Sequence, residues 1–322
     1  MNIIYYGNCC ATNVGEAFID IGAMSLLKKA MPEAKIIYVS PMSKYYNREL
    51  RKKKRMTGVN FMNPSLYGDG NSISNGANLA MYMKADLFVL GGMFATYNFP
   101  DLDGEYFVKP LFEKNKNLKT LFLGAGGLHY TERESQKFLS FAQNVMRPIG
   151  FISRDNTAYD LYKNDFKEVR AGIDCGFFCS DEYDPRGFSN ESYDVVTFNR
   201  MKEPPLFSPW PRPIIRAEHM FYYADYKSNV ENYFISDYPH EYMSLYANAN
   251  EIHTDLVHGT VMGLMYNRPV KYYHDSKRSY CFDAAGAVVS DDGFLRLSPE
   301  TLQKKKNEMI NNVRAILLGQ VE

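Results

Sequence analysis

The chain has no charge excess: 37 lysines and arginines balance 37 aspartates and glutamates. With no global field to recruit a polyanion, nucleic-acid binding is not expected, and any electropositive site must be local. A run of the roughly 20 apolar residues that a membrane-spanning helix needs is also missing; the most apolar windows are shorter and interrupted by charge. The opening residues Met1 to Gly7 carry no basic flank and no small-residue cleavage site, and read as a core strand, so a cytoplasmic protein is expected. Cysteine is scarce. Cys9, Cys10, Cys175, Cys179 and Cys281 are odd in number and unevenly spaced, as free thiols in a reducing compartment would be. Cys175 and Cys179 have no Cys or His partners at zinc-like spacing, and no metal site is expected.

What is present is an ordinary globular composition, 45% hydrophobic, in a chain of 322 residues. That length exceeds what one core usually supports, so two domains are expected, at 1–175 and 176–322. Short apolar runs alternate with helix-length amphipathic segments, the pattern of βαβ units and mostly parallel sheets. In the first half, strands are predicted at Asn2 to Tyr6, Lys35 to Ser40, Asp86 to Leu90, Thr120 to Leu123 and Gly150 to Ser153. Helices are predicted from Asn13 onward and from Asn156 to Lys163, and Thr131 with Glu134 has the spacing of a capping box that opens another. Val169 to Ile173 leads to the second half. There, strands at Tyr193 to Asn199, Tyr233 to Ser236, Glu251 to Thr254 and Val270 to Tyr273 alternate with helices over Glu241 to Asn248 and Leu256 to Tyr266. A loop with Pro204, Pro205, Pro209, Pro211 and Pro213 interrupts them, and Ser298-Pro299 starts a final helix. The expected fold is α/β, with two Rossmann-like domains facing a cleft and a C-terminal helix. Ligands of such sheets sit beyond the carboxyl ends of the strands.

Several strand ends match one family together. Asn13-Val14-Gly15-Glu16 resembles an Asn-x-Gly-Asp signature, and Ala85-Asp86-Leu87-Phe88-Val89-Leu90-Gly91-Gly92 an Ala-Asp-apolar-Gly-Gly strand. Gly124-Ala125-Gly126 resembles the following Gly-x-Gly, and Ile152-Ser153-Arg154-Asp155 a Ser-x-Arg-Asp element. Asp255-Leu256-Val257-His258-Gly259, followed by Asn267-Arg268-Pro269-Val270, resembles an Asp-Arg-x-His motif, its helix and a Gly-x-Pro-Val strand. The chain thus resembles the polysaccharide pyruvyl transferases over about residues 5–275. The resemblance implies the GT-B arrangement of two-domain glycosyltransferases, phosphoenolpyruvate as co-substrate with no separate cofactor, and a sugar or glycan acceptor that receives a cyclic pyruvate ketal. It implies His258 as general base, and Asn13, Gly15, Gly91, Gly92, Gly126, Arg154 and Asp255 as residues of the substrate site.

Ketal transfer from an enol phosphate needs a base for the acceptor hydroxyl, an acid for the methylene carbon, and cations for carboxylate and phosphate. His258, at a helix start past a strand, suits the base; its bland alternative is a helix cap. Arg154 suits a carboxylate or phosphate, or a salt bridge to Asp155. His129, beyond a glycine-rich loop, is either the acid, a phosphate ligand or a solvated loop residue. The glycines serve either tight turns or phosphate binding. Leu256 stands where the family has arginine, and it can neither bind an anion nor donate a hydrogen bond. Arg200, Arg268, Lys277 and Arg278 are the cations available to replace it, or solvated surface charges. His253 either faces the same cleft or lines its strand. The run Arg48, Arg51, Lys52, Lys53, Lys54 and Arg55 either meets a lipid-linked acceptor at a membrane surface or forms a solvated face. The aromatics, Trp210 included, either stack on sugar rings or build cores. The residues also fit two other functions: a nucleotide-sugar transferase, and a glycan-binding relative without activity.

Overall fold

The computed structural model describes residues 1–7, 13–39, 79–92, 94–205, 210–220, 232–236 and 238–319. Cys9, Cys10 and the basic run at 48–55 lie outside the described residues.

The first domain is built on a six-stranded, wholly parallel sheet. Its strands are β1 (Asn2–Tyr6), β2 (Lys35–Val39), β3 (Leu87–Gly91), β4 (Lys119–Ala125), β5 (Pro148–Ser153) and β6 (Val169–Arg170), in spatial order β2-β1-β3-β4-β5-β6. Strands β3 and β4 are apolar almost throughout because helices cover both faces, as a parallel sheet requires. Helix α1 (Val14–Ala30) lies on one face. On the other lie α2 (Lys109–Lys114), α3 (Glu132–Phe141) and α4 (Asn156–Tyr162), with a phenylalanine-rich layer beneath them that includes Phe88, Phe99, Phe122, Phe138 and Phe151. Much of the chain's aromatic content is therefore core.

The second domain follows a short α5 (Cys179–Glu182). Its sheet holds β7 (Asp194–Thr197), β8 (Ile214–Ala217), β9 (Tyr233–Phe234), β10 (Ile252–Thr254) and β11 (Val270–Tyr272) in parallel. A hairpin of β12 (Val288–Val289) and β13 (Leu295–Arg296) adds antiparallel to β11. Helices α6 (Pro239–Asn248) and α7 (Val257–Met265) pack with α1 in the main core, and α8 (Tyr280–Ala285) precedes the hairpin.

Helix α9 (Pro299–Leu318) starts at Ser298, whose hydroxyl caps Thr301 N, and then crosses back to the first domain. Ile316 packs on Gly150 of β5, Arg314 donates to the carbonyls of Lys29 and Ala30 at the end of α1, and Asn312 donates to Ala171 O. Midway, the buried Lys306 pairs with Asp181 at 2.8 Å and donates to Ser180 Oγ at 3.0 Å. The last helix is a strap joining the two domains.

One local expectation changed in detail. Thr131 caps α3, accepting from Glu134 N at 3.2 Å, but Glu134 does not reach back to the cap residue. Its carboxylate accepts instead from the amides of Leu128, His129 and Tyr130 at 3.2, 3.0 and 2.8 Å, clamping the loop after β4. Within the segment that leads to the second domain, Val169–Arg170 forms the two-residue β6.

Candidate active site

The carboxyl ends of the two parallel sheets face each other, and the N-terminus of α1 lies between them. Asn13 caps that helix: its Oδ1 accepts from Gly15 N at 3.0 Å and its amide donates to Glu16 at 3.4 Å. Val14 N donates across the domain boundary to His219 O at 3.1 Å. Gly15 then comes against His258, so closely that a β-carbon on it would sit 2.5 Å from Nδ1. Only glycine permits this approach.

His258 lies in the first turn of α7, and it is buried. Its Nε2 has no partner among the described residues. Burial, and after it the positive charges of Arg278, Arg154 and Arg200, hold its pKa well below the usual histidine value. The ring is therefore a neutral imidazole at physiological pH, able to accept a proton. No side chain caps α7, so its first-turn amides add positive potential beside the ring.

Arg154, at the end of β5, is fully buried. Its Nη2 donates to Gly127 O at 3.0 Å and to Tyr130 OH at 3.2 Å, and its Nε stands 3.4 Å from Asp155 Oδ2. The ion-pair reading of this arginine is realised in its contact with Asp155, and Nη1 keeps no partner among the described residues. Gly126 makes room for it, since a β-carbon there would fall 2.5 Å from Arg154 Nε. Tyr130 reaches the guanidinium from a backbone with φ of 54°, a conformation that a bulky residue rarely adopts without compensation. Its hydroxyl also donates to Asp155.

Arg278 sits in a short turn after β11. Burial and the neighbouring Arg154 and Arg200 depress its pKa to about 10, so it stays charged at neutral pH, and its Nε is unpartnered among the described residues. Arg200 is exposed at the cleft mouth on the loop after β7. Asp255 positions that loop, with its carboxylate accepting from the amides of Asn199, Arg200 and Met201 at 3.1, 2.7 and 2.7 Å. Other buried polar atoms without a partner among the described residues include Asp174 Oδ2, Asn199 Nδ2, His219 Nδ1 and Tyr272 OH, and also Ser153 Oγ, Tyr162 OH and Arg170 Nε. Buried polar groups are normally hydrogen-bonded, so the free atoms of His258, Arg154 and Arg278 leave hydrogen-bonding capacity unused among the described residues.

The structure brings Asn13, Gly15, Gly126, Arg154 and His258 together. Gly91 and Gly92 end β3 nearby: Gly91 packs on the Tyr5 ring and Gly92 takes φ of 89°. Asp255 spends its carboxylate on backbone. His129 is exposed and held only by its amide, and the structure does not join it to the group; the adjacent Tyr130 goes inward instead. Leu256 is buried at the N-cap position of α7 and presents no polar group. His253 turns away, bonded to Tyr273 OH at 2.9 Å and Glu251 at 3.0 Å, with the Trp210 ring edge-on to it. Trp210 donates to Asp194 at 2.6 Å. Arg268 donates to Ala247 O. Sequence reasoning missed Tyr130 and His219. His219 accepts its place from contacts distant in sequence: Nε2 lies 2.8 Å from Tyr246 OH, and burial with the nearby His258 lowers its pKa to about 3.

Facing sheets, an inter-domain site and a strap helix define a GT-B-fold protein. The chain is similar to UDP-N-acetylglucosamine 2-epimerase from Rickettsia bellii, with a TM-score of 0.56 and 12% identity over 99% of this chain and 96% of that one. It is also similar to UDP-GlcNAc 2-epimerase from Neisseria meningitidis bound to UDP-GlcNAc, with a TM-score of 0.55 and 11% identity over 99% of both chains. At such identity these likenesses concern the fold. The polysaccharide pyruvyl transferase family model matches residues 13–270, and the chain belongs to that family. No curated protein matches it in sequence. Among the described residues, no helix is long and apolar enough to cross a membrane.

Proposed function

We propose that the protein moves pyruvate from phosphoenolpyruvate onto two hydroxyls of a sugar in a cell-surface polysaccharide or its precursor, as a ketal, with release of phosphate. The observation that carries this reading is the neutral imidazole of His258, its Nε2 without a partner among the described residues, amid the charges of Arg154, Arg200 and Arg278. The donor is a small, highly charged anion, and three guanidiniums at one imidazole fit its carboxylate and phosphate. Arg200 and Arg278 supply the charge that Leu256 does not. His258 Nε2 takes the proton of the attacking hydroxyl. The first-turn amides of α7 add an anion-binding contribution.

The test pairs purified protein with phosphoenolpyruvate and a panel of methyl hexopyranosides, whose neighbouring or 4,6-hydroxyls can close a ketal ring, and follows phosphate. His258→Ala is expected to lower turnover by about 10²–10⁴-fold with the melting transition preserved. Undiminished phosphate release by that variant contradicts the mechanism. A second reading, a nucleotide-sugar donor, draws on Leu256 and on the nucleotide-sugar enzymes that share the fold. Stabilisation by UDP-GlcNAc and none by phosphoenolpyruvate would favour it.

A further inference from the structure

The reading above assigns a base and cations but no acid, and the exposed His129 is not placed to act as one. On α1, one residue beyond the glycine that meets His258, stands Glu16. Its partly buried carboxylate accepts a single long hydrogen bond from Asn13, at 3.4 Å. It lies within electrostatic reach of Arg278 of the second domain, which itself acts on His258. Its own helix places Asp20 one turn away, buried and bonded to the hydroxyls of Tyr5 and Tyr38. We infer that Glu16 is the proton donor of the site, delivering its proton to the methylene carbon of the enol phosphate.

The proposal rests on phosphoenolpyruvate being the donor. Three features support it. Gly15 meets His258 and Glu16 is the next residue of the same helix turn, so acid and base stand on elements of the two domains that touch. Arg278 lies within reach of both and can hold the donor between them. Burial and the charge of Asp20 outweigh Arg278 and Asn13 and push the Glu16 carboxyl up to about 8, so it carries a proton at neutral pH. A base kept neutral and a carboxyl kept protonated are the pair that this chemistry requires.

The protons balance. The double-bond pair of the donor takes the proton of Glu16 and forms the methyl group. The first hydroxyl oxygen bonds to the central carbon, and its proton passes to His258 Nε2. The second hydroxyl oxygen then bonds to the same carbon as the carbon–oxygen bond to phosphate breaks, with its electron pair leaving on phosphate. Phosphate takes the proton from His258, and the proton of the second hydroxyl returns to Glu16. Hydrogen phosphate and the ketal leave, and both residues are restored.

The test is phosphoenolpyruvate binding by calorimetry from pH 7 to 9.5, with wild type, Glu16→Gln and Glu16→Asp, alongside phosphate release in the methyl hexopyranoside assay. Ionised Glu16 repels the donor, so wild-type affinity is expected to fall above about pH 8, by at most about tenfold per pH unit, while Glu16→Gln binds without that break. Glu16→Gln is expected to lose turnover by about 10²-fold or more, and Glu16→Asp to retain part of it. A wild-type affinity that is flat across this range, a break that persists in Glu16→Gln, or a Glu16→Gln turnover within threefold of wild type overturns the proposal while leaving the donor assignment standing. Absence of phosphoenolpyruvate binding by every protein at every pH overturns the donor assignment, and Glu16 with it.

Discussion

Gly15 of α1 and His258 of α7 touch across the two domains, with room for a hydrogen but not for a β-carbon, which would fall 2.5 Å from the imidazole. The contact fixes the first turn of α1 against the imidazole of the second domain.

Gly15→Ala separates the effects. Inside a helix, alanine is favoured over glycine by about 1 kcal/mol, so propensity alone predicts stabilisation. The steric contact predicts the reverse: a lower urea midpoint and at least a tenfold loss of turnover. A more stable, fully active variant would show that the two helices do not meet as described.

Arg154→Lys tests the buried guanidinium. Lysine cannot bond Gly127 O and Tyr130 OH and still present a free nitrogen, as Arg154 does through Nη2 and Nη1. Phosphoenolpyruvate affinity measured by calorimetry is expected to drop more than tenfold. Unchanged affinity would make Arg154 a structural ion-pair partner of Asp155.

Acid sensitivity follows from His219. Its folded pKa, about 3, lies below the ordinary 6.5, so the unfolded chain takes up the proton first. The stabilisation is present above pH 6.5 and is lost as pH falls through the window down to about 3. Glu16 acts in the opposite sense. Its raised pKa favours the folded state at low pH, an advantage lost as pH rises from 4.5 to about 8. Denaturant midpoints should therefore fall less steeply toward acid in His219→Gln than in wild type, and Glu16→Gln should gain on wild type as pH rises toward 8.

Lys306 anchors the strap helix. Replacing it with alanine leaves Asp181 with only Lys29, at 3.4 Å. Breaking a buried pair typically costs about 3–5 kcal/mol, and the remaining lysine places this case near the low end. Lys306→Met with Asp181→Leu is expected to recover much of the loss in chemical denaturation.

The order of strands and helices was legible because apolar runs and helical periodicity are local, and so was His258, a strand-end histidine at a helix start. Other features depend on contacts between distant segments. Helix α9 shows an apolar face in sequence, but nothing in that face says it returns to β5 and α1. Glu134 has capping-box spacing, yet bonds the loop before the cap because that loop folds over it. Tyr130 owes its inward path to a left-handed backbone that no motif announces. Arg278 occupies a short turn without periodicity, so it reads as a surface cation until folding sets it beside Arg154. The hairpin of β12 and β13 escaped notice because its strands have two residues each and Val288 and Val289 are exposed.

In the proposed function, the arginines around His258 hold phosphoenolpyruvate. Thermal unfolding of wild type and Arg278→Ala with phosphoenolpyruvate, UDP-GlcNAc or UDP tests it most directly, because a ligand raises the transition only by binding the native state. A rise with phosphoenolpyruvate that Arg278→Ala abolishes is expected, and no comparable rise with the nucleotides. A rise with UDP-GlcNAc and none with phosphoenolpyruvate would contradict it.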